Sequence, residues 1–128
     1  MNIFDSSAIF NLFLQGKYDI LVSGSTVPLA RYEIGNVLWK NYKIRGRIYK
    51  KEAIEAGNVL FELIDSMEMV DPPLLSAIRI ALEEGITFYD SSYVAAAIES
   101  GCDLITDDMK LREVAGSKVR TMNSTDLQ

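Results

Sequence analysis

The 128-residue chain contains no histidine and a single cysteine, Cys102. Without histidine there are no Ser-His-Asp triads, no Cys-His pairs and no histidine-ligated zinc. One cysteine excludes an internal disulfide and cannot build a thiolate zinc site. Cys102 follows Gly101 just ahead of an apolar run, a setting that reads as a buried, inert thiol. No apolar stretch approaches the roughly 20 residues a membrane-spanning helix needs. The N-terminus is apolar but carries Asp5 with no preceding Lys or Arg, which makes it a poor signal peptide. We therefore expect a cytoplasmic protein with no membrane association. Linkers, repeats and low-complexity segments are also missing, and residues 1–128 are expected to form one domain.

Carboxylates stand in informative places. Asp5 follows Met1-Asn2-Ile3-Phe4, Asp90 follows Ile86-Thr87-Phe88-Tyr89, and Asp108 follows Leu104-Ile105-Thr106-Asp107. All three runs read as strands. Glu33 lies in the largely apolar helical stretch Leu29 to Trp39. In open α/β sheets the carboxyl ends of the strands converge on one crevice, where ligands bind. Carboxylates gathered there repel each other unless a cation sits between them, and an all-oxygen donor set suits Mg²⁺, with Mn²⁺ as a substitute. The pattern points to a divalent-metal site for phosphate chemistry. A plainer reading exists, because Asp is a favoured helix N-cap and Asp5, Asp90 and Asp107 or Asp108 each precede a helix pattern. Capping does not explain Glu33, placed among Tyr32, Ile34, Val37 and Leu38, where a buried, unpaired carboxylate would be costly.

Short apolar runs alternate with helical patterns, which predicts a three-layer α/β/α sandwich around a central, mostly parallel sheet. A first strand is expected over residues 2–5, then a helix from Ser6 to Leu14 broken at Gln15-Gly16. Tyr18 to Val27 is ambiguous, with a strand signal in Ile20-Leu21-Val22. Pro28 suits the first turn of a helix running to about Ile44. An amphipathic helix over Lys50 to Ser66 carries Ala53, Ala56, Val59, Leu60, Leu63 and Ile64 on the face expected in the core. Then come a strand at Met67 to Val70, a helix from Leu74 to Glu84, the strand ending at Tyr89 and a helix from Ser91 to Ser100. A strand at Leu104 to Thr106, a helix from Met109 to Ala115 and an edge strand at Val119 to Met122 complete the chain. Tyr32 and Trp39, two turns apart on one helix, read as core or dimer packing rather than base stacking.

Four segments together resemble a known family. They are Asp5-Ser6-Ser7-Ala8-Ile9, Glu33-Ile34-Gly35-Asn36-Val37-Leu38-Trp39, Tyr89-Asp90-Ser91-Ser92-Tyr93-Val94-Ala95 and Thr106-Asp107-Asp108-Met109-Lys110-Leu111. In order and separation they are similar to the PIN-domain ribonucleases, and most of all to the VapC-type toxins of prokaryotic toxin–antitoxin pairs. The resemblance implies a PIN-like fold and a metal-dependent endoribonuclease whose quartet Asp5, Glu33, Asp90 and Asp108 holds Mg²⁺ or Mn²⁺. It implies supporting hydroxyls at Ser7 and Thr106, and products with 5′-phosphate and 3′-hydroxyl ends. Asn36, three residues after Glu33, lies on the same helix face. The spacing Thr-x-Asp assigns the fourth acid to Asp108, leaving Asp107 as a cap or supporting partner. The implied partners are an RNA substrate, a small VapB-type antitoxin and a second copy of the chain.

A net charge of −5 is unusual for a protein that binds phosphates. The positive charge is localised, however. Lys40, Lys43, Arg45, Arg47, Lys50 and Lys51 supply six of the 13 basic residues, no acid lies among them, and without them the balance falls from −5 to −11. The segment reads as an RNA-backbone clamp or antitoxin docking surface, or as a solvated corner between helices. Two other functional classes are carried forward. A phosphoaspartate phosphatase wants a second Asp two residues after Asp5, where Ser7 stands, and a receiver domain wants paired acids at the first strand end. A catalytically silent PIN-like module that binds RNA or protein would keep the same four acids and bind metal without cutting.

Overall fold

The structure, a computed structural model, describes residues 1–127; Gln128, the last residue of the expected domain, lies outside the described residues. The chain runs β1 (Asn2–Phe4), α1 (Ser6–Leu14), α2 (Tyr18–Val22), β2 (Ser25–Thr26), α3 (Leu29–Lys43), α4 (Lys50–Ser66), β3 (Glu68–Met69), α5 (Leu74–Glu84), α6 (Phe88–Ser100), β4 (Asp103–Ile105), α7 (Met109–Ala115), β5 (Thr121–Met122) and a 3₁₀ turn at Ser124–Asp126. The strands form one sheet in the order β3-β2-β1-β4-β5, and every pairing is parallel. Parallel neighbours need crossovers, and helices supply them. Helices α1 to α4 contact one another, α5 contacts α6, and α6 lies against β1 and β4, so the sheet is the middle of three layers.

The topology positions the site. The chain builds outward from β1 through β2 to β3, then returns to β1's other side for β4 and β5. The order therefore reverses at β1 and β4, and the crevice past the carboxyl ends of these two strands is where such sheets bind ligands. Both strands are central and covered on two faces, which is why Ile3, Phe4, Leu104 and Ile105 are all fully buried. Gly24 leads into β2 because nothing larger fits there: a Cβ would lie 2.1 Å from the Phe4 ring.

Several sequence expectations change. Ile86 to Tyr89 is not a strand. Gly85 ends α5 in the left-handed conformation at φ 68°, and Thr87 then caps α6, its hydroxyl accepting from Asp90 N at 3.0 Å. A hydroxyl cap two residues after a glycine stop outweighs the β-prone composition. Asp90 consequently sits in the first turn of α6, not at a strand end. The strand signal Ile20-Leu21-Val22 lies in α2, and the strand falls on Ser25–Thr26 instead. On α4, Leu60 and Ile64 are fully buried, but Val59 is largely exposed. Tyr32 and Trp39 are not in the core either; they project from α3 into solvent. Among the described residues no helix is long and apolar enough to cross a membrane.

Candidate active site

Asp5 is the hub of the crevice. Its backbone N donates to Ile105 O at 3.1 Å, closing the β1–β4 ladder. Its carboxylate then caps α1: Oδ1 accepts from Ala8 N at 3.0 Å and from Ser7 Oγ at 2.7 Å, and Oδ2 accepts from the Thr106 hydroxyl. Ser7 Oγ in turn accepts from Asp107 N at 2.9 Å, and Thr106 Oγ1 accepts from Asp108 N at 3.1 Å. The turns after β1 and β4 are thus held together through two hydroxyls. Asp5 is buried, and burial is the main reason its carboxyl is pushed up to about 6. The donors Thr106, Ser7 and the Ala8 N–H oppose that shift, while the charge of Asp90 adds to it.

Asp90 is half-buried, and its carboxyl is raised above the usual range by burial, then by Asp108 and Glu33; the Thr87 hydroxyl opposes the shift. Asp90 and Asp108 line one cleft, and Glu33 lines another. No ion pair to Lys or Arg relieves any of the four acids among the described residues.

The cost of burying an unpaired carboxylate predicts a partner or a metal beside Glu33, and the structure supplies a partner. Glu33 is half-buried on α3, and Oε1 accepts from the Tyr93 hydroxyl at 2.6 Å. Tyr93, on α6 and fully buried, is the functional-site residue that the sequence reading did not single out. Burial, and then the Glu33 charge, hold its phenol far above its ordinary titration range, so it stays a donor. The available signal was its spacing: Tyr93 is three residues after Asp90, on the same helix face.

The two adjacent aspartates separate cleanly. Asp108 is exposed, caps α7 by accepting from Leu111 N at 3.1 Å, and acts on Asp90. The Asp107 carboxylate faces elsewhere: it accepts from Asn11 Nδ2 at 2.7 Å and from Ser124 N and Oγ, both at 2.6 Å, tying the C-terminal 3₁₀ turn to α1. Two clefts open on this region. Glu33, Asn36 and Lys40 help line one of about 430 Å³. Asp90 and Asp108 line a smaller one of about 130 Å³ with Thr87 and Lys110. The six basic residues are all exposed around the corner between α3 and α4, where Asn41 is buried among them. Lys40 reaches the Glu33 cleft, whereas Arg47 and Lys50 line separate, mainly apolar grooves and Lys51 lies 4.0 Å from Glu55.

The donor set is all oxygen and mutually repelling, which fits a hard divalent cation. Among the described residues no three His, Cys, Asp or Glu side chains close on a single point. That arrangement is compatible with Mg²⁺, which keeps several waters and is held by one or two carboxylates rather than a full protein cage.

The chain matches the PIN domain family over residues 3–117. It is 36% identical over 112 residues to Exonuclease VapC9 of Pyrobaculum aerophilum, covering 84% of this chain and 80% of that protein. It is 37% identical over 90 residues to Ribonuclease VapC3 of the same organism, covering 69% and 68%. The crystal structure of PAE2754 from Pyrobaculum aerophilum superimposes with a TM-score of 0.83 at 30% identity, over 98% of this chain and 92% of that one. VapBC-1 from nontypeable Haemophilus influenzae shares the fold at 15% identity and a TM-score of 0.60, over 97% and 98%.

Proposed function

The chain belongs to the PIN domain family, and on that footing we propose that it is a Mg²⁺- or Mn²⁺-dependent ribonuclease, the toxin of a toxin–antitoxin pair. The observation that supports this reading is the position of the acids around the reversal point of the sheet: Thr106 ties the turn of Asp5 to that of Asp108, Asp90 and Asp108 line one cleft, and Glu33 lines another. Asp5 and Asp90 would hold the ion directly. Glu33 and Asp108 would complete its surroundings through water or orient the attacking water. When bound, the ion lowers the pKa of a water and neutralises charge on the phosphate.

The chain's own groups set the rest. Ser7, Thr106 and the Ala8 N–H hold the Asp5 carboxylate in one orientation, and Tyr93 does the same for Glu33. Asn36, beside Glu33, is placed to hydrogen-bond a substrate phosphate or sugar. The phosphoaspartate alternative finds no support, because both Asp5 oxygens are occupied by donors and the carboxylate is buried rather than presented as a nucleophile. A VapB-type antitoxin, a homodimer and a cytoplasmic setting belong to the proposal through the family resemblance.

The test is cleavage of a structured RNA pool by purified protein in Mg²⁺, Mn²⁺ or EDTA, beside Asp5→Asn and Asp90→Asn. Metal-dependent cutting that both variants lose supports the reading. Equal cutting by all three proteins marks a contaminant, and metal binding without cutting marks a silent module. One of the relatives is named an exonuclease and the other a ribonuclease, so a circular RNA belongs in the assay: its linearisation is expected of the endonuclease proposed here.

A further inference from the structure

Three exposed aromatic rings line two adjacent clefts, one of them beside Glu33. Tyr32 and Tyr89 wall the cleft of about 430 Å³ beside Glu33, together with Leu29, Asn36 and Lys40. Tyr32 is 77% exposed and Tyr89 59%. Leu29 and Tyr89 also wall an adjoining apolar cleft of about 190 Å³ that contains Phe88, itself 38% exposed. The two clefts share Leu29 and Tyr89 as walls, so together they flank a track from α3 to the first turn of α6. None of the three rings is buried in the hydrophobic core.

The chemistry of the track is specific. Solvent-facing rings beside a carboxamide and an ammonium suit a ligand that combines flat π faces with hydrogen-bonding edges and negative charge. An unpaired nucleotide has all of these. The larger cleft falls in the volume range of small-ligand sites, and Lys40 is placed to meet a backbone phosphate. Bases inside a duplex are already stacked and present no free face.

We propose that this track is a nucleobase subsite. It takes one unpaired base against Tyr32 and Tyr89 and a neighbouring base against Phe88, and so feeds a single-stranded segment past the acids. The subsite rests on the nuclease reading above for its purpose, but its occupancy can be measured without catalysis.

The experiment is fluorescence anisotropy of a labelled short single-stranded RNA in EDTA, with wild type and the Tyr32→Ala, Tyr89→Ala, Tyr32→Phe and Tyr89→Phe variants. The same RNA made duplex, and the same strand with its central bases removed, serve as comparisons. Each alanine variant should bind the intact strand roughly tenfold more weakly, since base–aromatic stacking contributes on that order. The phenylalanine variants should retain binding, and the base-free strand should be bound equally weakly by all five proteins. Alanine variants that bind the intact strand like wild type overturn the subsite. Wild type that binds duplex as well as single strand overturns it too. So does a change in oligomeric state by light scattering with RNA binding unchanged, which would assign the rings to a protein contact. Cutting of the intact strand by wild type after addition of Mn²⁺ is scored separately, so failure of the nuclease reading and failure of the subsite give different results.

Discussion

Asp5 uses one carboxylate to cap α1, to join the turns after β1 and β4, and to supply charge to the crevice. These roles conflict electrostatically in the metal-free protein. With its carboxyl near 6 when folded against an ordinary 3.8, the folded state binds the proton more tightly than the unfolded chain. Stability from this group is therefore greatest below about pH 4 and is lost as pH rises through about 6, by on the order of 3 kcal/mol. In EDTA, thermal melts of wild type and Asp5→Asn should diverge across that window, the variant gaining relative to wild type as pH rises. Saturating Mn²⁺ near neutral pH should stabilise wild type and not the variant. Parallel pH profiles would show that Asp5 does not titrate there. Tyr93 is the second residue on which the site depends. Tyr93→Phe keeps the buried ring and removes one hydrogen bond to Glu33, so it should cost about 1 kcal/mol in denaturant unfolding. It should also weaken Mn²⁺ binding about tenfold, the usual scale for groups that orient a ligand; unchanged affinity by calorimetry would remove Tyr93 from the site. The acids were legible from residue type and position. The role of Tyr93 was not, because a tyrosine in the apolar face of α6 reads as core, and its hydroxyl partner lies 60 residues away in sequence.

At the scale of elements, the helix caps carry the site. Asp5 starts α1, Asp108 starts α7, and Asp90 lies in the first turn of α6 behind the Thr87 cap. Capping and function were set against each other as readings of Asp5 and Asp108, and in the structure both side chains cap a helix that starts beside the proposed site. Asp107 and Asp108 provide the sharpest test. Asp107→Ala strands three donors from Asn11 and Ser124 and should destabilise by about 3 kcal/mol while retaining most cleavage per folded molecule. Asp108→Ala should cost only about 1 kcal/mol as a lost cap yet abolish cleavage. Denaturant titrations paired with cleavage assays separate the two, and the reverse pattern would move the fourth acid to Asp107. The element that the sequence misrepresented, Ile86 to Tyr89, failed for a local reason. Its β-prone residues favour a strand, but the left-handed Gly85 and the Thr87 hydroxyl commit the chain to a short connection, Gly85-Ile86-Thr87, between packed helices.

Across the whole molecule, the basic charge gathers at the corner where α3 turns into α4, and Lys40 brings it to the edge of the cleft that holds Glu33. If that corner clamps an RNA backbone, Lys43→Glu with Arg45→Glu should weaken RNA binding. The slope of log affinity against log salt should also fall by at least about 1, given roughly 0.7 per phosphate contact for single strands. An unchanged slope would make the corner ordinary solvated surface.

The residue sequence by itself determined the chemistry: no histidine, no usable thiol, and four acids in segments whose order identifies the family. It also determined most helix positions, because apolar periodicity and glycine stops are local signals, although two β-prone runs, Ile20-Leu21-Val22 and Ile86 to Tyr89, are not strands. The tertiary structure alone decided where the acids stand. The turns carrying Asp5 and Asp108 are held together through Thr106 because β1 and β4 pair across the reversal point of the sheet, and Asp90 shares a cleft with Asp108 from a helix start rather than a strand end. It also placed Tyr32 in solvent and Tyr93 on Glu33. Burial and partnership of a side chain depend on which distant element covers it, and no local pattern in the chain records that.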